Sequence, residues 1–179
     1  MITMNSEQIL ENEKVRLRAL EPEDVDLLYE WENNTAIWES GSTIAPFSKK
    51  ILKEYIDNSH LDIYEAKQLR LMIDEKSSGK TIGAIDLYDF DARNRRAGIG
   101  IYVVEEFQRK GYALNALQVL LTYCSSMLLM HQLYVEVQVD NEASLSLFQK
   151  AGFARIGVKK EWLIRKNGFA DVILMQKIF

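Results

Sequence analysis

Ile101-Tyr102-Val103-Val104-Glu105-Glu106-Phe107-Gln108-Arg109-Lys110-Gly111-Tyr112-Ala113 decides how this chain is read. Residues 101–104 are β-branched or aromatic, the types that suit a pleated strand. Leu114, Leu117, Leu121, Cys124 and Leu128 then recur three and four apart, which predicts one buried helix face running to about Leu129. Between strand and helix, Arg109 and Lys110 flank a helix start that opens on Gly111. A helix start leaves N–H groups unpaired and carries partial positive charge. Gly111 admits a close backbone approach and Ala113 keeps the first turn clear, so the turn can hold a phosphate. It can equally be a plain strand-to-helix turn with solvated cations. The spacing excludes a nucleotide P-loop and a Rossmann Gly-x-Gly-x-x-Gly fingerprint.

Working outward towards the N-terminus, Thr81 to Asp89 reads as a strand with Ile82, Ala84, Asp86 and Tyr88 on one face. The turn Glu75-Lys76-Ser77-Ser78-Gly79-Lys80 joins it to a strand at Gln68 to Asp74. Upstream, Lys49 to Ser59 predicts a helix with Ile51, Leu52, Tyr55 and Ile56 on one side, and Asn34 to Phe47 a loop. Pro22 beside acids opens a helix to about Asn33 that buries Val25, Leu28 and Trp31, after a half-exposed strand over Val15 to Leu20. Towards the C-terminus, Leu133 to Val139 alternates as a strand. The run Asn141-Glu142-Ala143-Ser144-Leu145-Ser146-Leu147-Phe148-Gln149-Lys150-Ala151-Gly152-Phe153 predicts a capped helix with a glycine stop. Two strands, Arg155 to Arg165 and Phe169 to Lys177, close on a Lys166-Asn167-Gly168 turn. The result is an α/β chain, a mixed sheet with helices on both faces, and several such folds fit these periods. Nothing resembling a linker, repeat or low-complexity tract divides it, so residues 1–179 read as one domain.

Gln108 to Ala113 and Asn141 to Phe153, in this order, together resemble the GNAT superfamily of acyl-CoA-dependent N-acetyltransferases. The likeness extends from Lys14 to Phe179, and its branch holds ribosomal-protein alanine and spermidine (diamine) acetyltransferases. It implies a mostly antiparallel sheet with a V-shaped splay between the fourth and fifth strands. It implies acetyl-CoA as co-substrate, its pantetheine arm paired with Ile101, Tyr102 and Val103 like an added strand. The pyrophosphate would take N–H groups around Gln108, Arg109, Lys110, Gly111, Tyr112 and Ala113, while Asn141, Ser144, Phe148 and Lys150 would line the thiol end. A backbone donor near Tyr102 or Val103 would support the developing oxyanion. The family often has a tyrosine at Phe148 that protonates the leaving thiolate, and phenylalanine has no proton to give. Tyr134 and Tyr112 are the substitutes to test, and each also reads as a packing tyrosine.

An acceptor amine must lose a proton before it attacks. Asp86 is the first choice to take it, commonly through water in this family, and Glu32 and Glu39 could hold a distal cation. All three also read as surface charges. The implied reaction is acetyl transfer to a primary amine, a polyamine such as spermidine or another small amine. Protein N-termini are the alternative acceptor, and Phe148 keeps a non-catalytic acyl-CoA-binding module open.

Composition bounds the rest. Lys plus Arg number 22 against 26 Asp plus Glu, a net charge of −4 that argues against nucleic-acid binding and suits a cationic substrate. One cysteine, Cys124, precludes an internal disulfide, and its place on the helical stripe predicts a core residue. His60 and His131 lack ligand spacing, so no metal is expected. Trp31, Trp38 and Trp162 read as packing residues, with Trp38 also able to wall an acceptor pocket. No apolar run is long enough for a membrane span and Met1 to Asn12 has no signal pattern, so the expectation is a cytoplasmic protein. The polyamine branch is often multimeric, which makes a homo-oligomer possible.

Overall fold

The computed structural model describes residues 9–38 and 43–179. Among the described residues there are seven strands: β1 (Val15–Arg18), β2 (Leu69–Glu75), β3 (Thr81–Asp91), β4 (Arg96–Val103), β5 (Gln132–Gln138), β6 (Ala154–Arg165) and β7 (Gly168–Ile178). They form one sheet in the order β1-β2-β3-β4-β5-β7-β6. Every neighbouring pair is antiparallel except β4 and β5. The helices are α1 (Val25–Glu32), α2 (Thr35–Trp38), α3 (Lys49–Asp57), α4 (Ile63–Ala66), α5 (Tyr112–Ser126) and α6 (Glu142–Lys150).

The period-two alternation of the strands sends their side chains into two cores. Met72 and Ala84 pack under Leu28 and Trp31 of α1 and Leu52 and Ile56 of α3. Their neighbours Leu71, Ile73, Ile85 and Leu87 point the other way, with Ala97, Ile99 and Val103, against Ala116, Leu117, Leu120 and Cys124 of α5 and Leu145 and Phe148 of α6. Helices therefore cover both faces. Burial raises the Cys124 thiol to about 12, as befits an inert core residue.

Several local expectations are corrected. Ile82 does not share a face with Ala84: a bulge opposite Ile73/Asp74 sends it into the core of Ile85 and Leu87. The predicted loop over Asn34–Phe47 contains α2, whose start Asn34 caps through Ala36 N–H and whose Trp38 Nε1 donates to the Glu32 carbonyl at 2.8 Å. Short α4 was missed because it is one turn long and buries only Ile63; Asp62 caps it through the Tyr64 and Glu65 N–H groups. A 3-10 turn, Glu105–Phe107, intervenes before the basic turn and takes Val104 out of β4. Helix α5 stops at Ser126, three residues short of the expected end. Trp162, expected to pack, is 55% exposed with Lys159 Nζ 4.3 Å from its ring centroid.

Candidate active site

Strands β4 and β5 pair only over Arg96↔Gln132, Ala97↔Leu133 and Gly98↔Tyr134. Beyond Gly98 they part, and Ile99 to Val103 form one wall of a V-shaped notch. The Val104 N–H donates to the Ile82 carbonyl at 2.9 Å. Antiparallel alternation then turns the backbone groups of Tyr102 and Gly100 towards β3 and those of Ile101 and Val103 towards the notch. Of the two oxyanion donors expected, Tyr102 is therefore committed to the ladder and Val103 faces the opening. The Val103 carbonyl is taken by Gln108 Nε2 at 2.8 Å, which ties the basic turn to the strand end.

Because β4 and β5 are parallel, the helices that follow them start at the same end of the sheet, the mouth of the V. Two helix N-termini, of α5 and α6, thus bring partial positive charge there. Gly111 precedes α5 with φ of 87°, a left-handed conformation costly for any other residue, and Arg109 is also left-handed at 57°. Arg109 and Lys110 are exposed, with Lys110 over the Phe107 ring. A third cation went unnoticed in the sequence: Lys14 Nζ lies 3.7 Å from where a Gly111 Cβ would stand. Tyr112 packs edge-on against Phe107 and donates its O–H to Glu75 Oε1 at 2.7 Å. Hydrogen bonds from Ser77, Ser78 and Tyr112 hold the Glu75 carboxyl down at about 2. Ala113 is half-buried in the first turn.

At α6, Asn141 Oδ1 accepts from the Ser144 N–H at 3.0 Å, a conventional cap, and the half-buried Ser144 begins the helix beside the mouth. Phe148 is 2% exposed and packs edge-on against Phe153, centroids 5.2 Å apart, so it serves the core. Lys150 ends α6, about 12 Å along the axis from its start, and is exposed away from the mouth.

On the α1 side of β3 and β4 a cleft of about 300 Å³, partly open to solvent, is lined by Leu28, Trp31, Glu32, Arg70, Ala84, Asp86 and Tyr102. Asp86 is there, but not as a lone carboxylate. Arg70 Nε meets its Oδ1 at 2.6 Å and Arg70 Nη2 its Oδ2 at 3.0 Å, while Arg70 Nη1 reaches Glu32 Oε1 at 2.5 Å. Burial opposes the charge of Arg70, and Asp86 more than offsets it, holding the guanidinium above its usual value. Tyr55 stacks near the same guanidinium, its phenol raised chiefly by burial. Trp31 and Tyr102 meet at 5.5 Å and wall the cleft. Glu39 lies outside the described residues. Gly98 and Gly100 stand opposite Tyr88 and Asp86; the Tyr88 ring takes the space a Gly98 side chain would fill, and a Gly100 Cβ would stand 3.6 Å from Asp86 Oδ2.

Residues 14–154 match the family model described as an acetyltransferase (GNAT) domain. The chain belongs to the GNAT acetyltransferase family. It is an acetyl-CoA-dependent N-acetyltransferase. The chain is 27% identical over 161 residues to a spermidine N(1)-acetyltransferase of Vibrio cholerae, covering 90% of this chain and 91% of that one. It is equally, 27%, identical to YdaF of Bacillus subtilis, provisionally named a ribosomal N-acetyltransferase, over 90% of both chains. The crystal structure of spermidine N-acetyltransferase from Vibrio cholerae with CoA and spermine superposes with a TM-score of 0.82 at 26% identity, covering 93% and 96% of the chains.

Within this GNAT enzyme the open strand edge, the glycine turn and the surrounding cations suit a thioester arm ending in a diphosphate. Sequence reasoning missed Arg70, Lys14 and Gly98-x-Gly100. The signal for Gly98 and Gly100 was available as two glycines in a strand, which mark a close approach by something else. No such signal existed for Arg70, whose partners are 16 and 38 residues away.

Proposed function

We propose that this GNAT enzyme moves the acetyl group of acetyl-CoA to a primary amine of a polyamine such as spermidine. The observation that carries this reading is the placement of two carboxylates, Glu32 and Asp86, against one guanidinium in a cleft that opens beside the free edge of β4. Two negative charges against one positive leave the cleft net anionic, which favours a cationic acceptor. The likeness to spermidine acetyltransferases supports it.

In this reading the amides of Gly111 to Ala113 bind the diphosphate, with Lys14, Arg109 and Lys110 around them. Ile101 pairs the pantetheine through its notch-facing N–H and C=O groups and Val103 through its N–H, the Val103 carbonyl being held by Gln108. The Val103 N–H, or that of Ile101, faces the thioester oxygen; losing such a donor typically costs ~2.7–4 kcal/mol of transition-state stabilisation. Trp31 and Tyr102 orient the amine. An alkyl ammonium is only about one part in 2,500 neutral at pH 7, so Asp86 accepts its proton through water. A carboxylate has about four acceptor sites, and Arg70 occupies two of them on Asp86.

Initial rates of CoA thiol release across spermidine, spermine, a diamine, monoamines and peptides with free N-termini test the acceptor. Turnover of peptides alone would overturn the polyamine reading. The second reading, N-terminal acetylation of a protein, draws on the YdaF likeness and on Arg70, which compensates charge that a polycation would otherwise meet.

The Vibrio cholerae spermidine acetyltransferase has been crystallised as a dodecamer. Here Ile156, Val158, Trp162, Ile164 and Phe169 on β6 and β7 are exposed apolar side chains, and we take them to support self-association. Light scattering that returns the monomer mass would exclude it. No described helix is long and apolar enough to cross a membrane.

A further inference from the structure

The leaving-group side of the reaction still lacks a proton donor. Phe148 has none, the Tyr112 O–H donates its hydrogen bond to Glu75, and the Tyr134 O–H is directed to Asp89 Oδ2 at 3.4 Å. One further phenol stands on the cleft face, at the apex of the V. Tyr88 is opposite Gly98 across β3 and β4, and Gly98 is opposite Tyr134, the last residue at which β4 and β5 pair. The Tyr88 ring lies directly over Gly98: a Cβ there would come within 2.3 Å of Cε2. The ring therefore crosses β4 towards β5 and meets Tyr134 edge-on, centroids 6.0 Å apart at 85°.

Asp86 and Asp89 from β3, and Tyr134 and Glu136 from β5, surround this phenol. Lys159 of β6 is paired with Glu136, and Arg70 with Asp86. Among the described residues the Tyr88 hydroxyl has no hydrogen-bond partner, yet it is not one of the sealed, unsatisfied polar atoms, so solvent reaches it. A phenol whose ring is packed and whose O–H is uncommitted is preorganised to donate. Burial raises its pKa above the ordinary tyrosine value, and the neighbouring acidic groups add to this, so it is protonated at neutral pH.

We propose that Tyr88 is the catalytic acid that protonates the departing CoA thiolate, the task that Phe148 cannot perform. This rests on the acetyl-transfer reading above. The amine lone pair forms the C–N bond, and the C–S bond breaks with its electron pair passing to sulfur. The Tyr88 O–H proton goes to that sulfur to give the thiol. The phenolate regains a proton from the nitrogen, which must shed one to become an amide, through water in the cleft.

Tyr88→Phe keeps the ring over Gly98 and removes only the hydroxyl, so the fold should survive; circular dichroism verifies this. The expected result is a kcat lower by ~100-fold, within the ~10²–10⁴ range of general acid catalysis. KM for acetyl-CoA and the calorimetric affinity for CoA should stay within about twofold of wild type, since the phenol acts on the breaking bond. A kcat within twofold of wild type would overturn the assignment. So would a loss carried by KM for acetyl-CoA, or one produced by Tyr134→Phe and not by Tyr88→Phe. Wild-type enzyme that turns over none of the amine panel would instead defeat the acetyl-transfer reading itself, before any variant is made.

Discussion

Asp86 and Arg70 have to be considered as one unit at the scale of single residues. The carboxylate is the proton acceptor of the proposed reaction, and the guanidinium fixes its two oxygens in one plane. Asp86→Asn is expected to lower kcat/KM for the acceptor by ~100-fold while leaving CoA affinity intact; an unchanged rate would remove Asp86 from the mechanism. Arg70→Met leaves Glu32 and Asp86 facing each other without a counter-charge. The side chains of all three keep between 21% and 27% of their surface. The cost should therefore be about 2 kcal/mol, below the ~3–5 kcal/mol of a fully buried pair. Urea unfolding measures it, and a midpoint shared with wild type would show the cluster to be structurally idle.

At the scale of elements, Glu75 joins the end of β2 to the start of α5. Its carboxylate accepts from Ser77, Ser78 and Tyr112, so the β2–β3 turn holds the first turn of the helix beside the basic loop. Those bonds need the ionised form, and they depress Glu75 from its ordinary 4.5 to about 2. A depressed carboxyl contributes stability that is fully present above its unfolded value and is lost as pH falls through the folded one. Thermal midpoints of wild type should therefore drop faster than those of Glu75→Gln as pH is lowered from 5 towards 2. Parallel curves would count against the link. This connection was invisible in the sequence, where Glu75 reads only as the first residue of a polar turn. Gly111 was legible there, because the need for a left-handed residue before a helix is local.

Across the whole molecule, the same strands serve both cores. Met72 and Ala84 belong to the α1–α3 side, while Leu71, Ile73 and Ile85 belong to the α5–α6 side. Neither face can lose its packing while the backbone between them stays ordered, so the cores should unfold together. Fluorescence of Trp31, which lies in the first core, and far-ultraviolet dichroism of the whole chain should give one urea midpoint. Separate midpoints would show the faces to be independent. The sequence alone determined the alternation of the strands outside the bulge at Ile82, the apolar stripe of α5, the Asn141 cap and the glycine turn. Each of these follows from sterics and hydrogen bonding within a few residues. Only the tertiary structure decided where β4 and β5 separate, that Phe148 faces the core, and that Arg70 claims Asp86. Those outcomes depend on which distant segments become neighbours, and no short-range period encodes that.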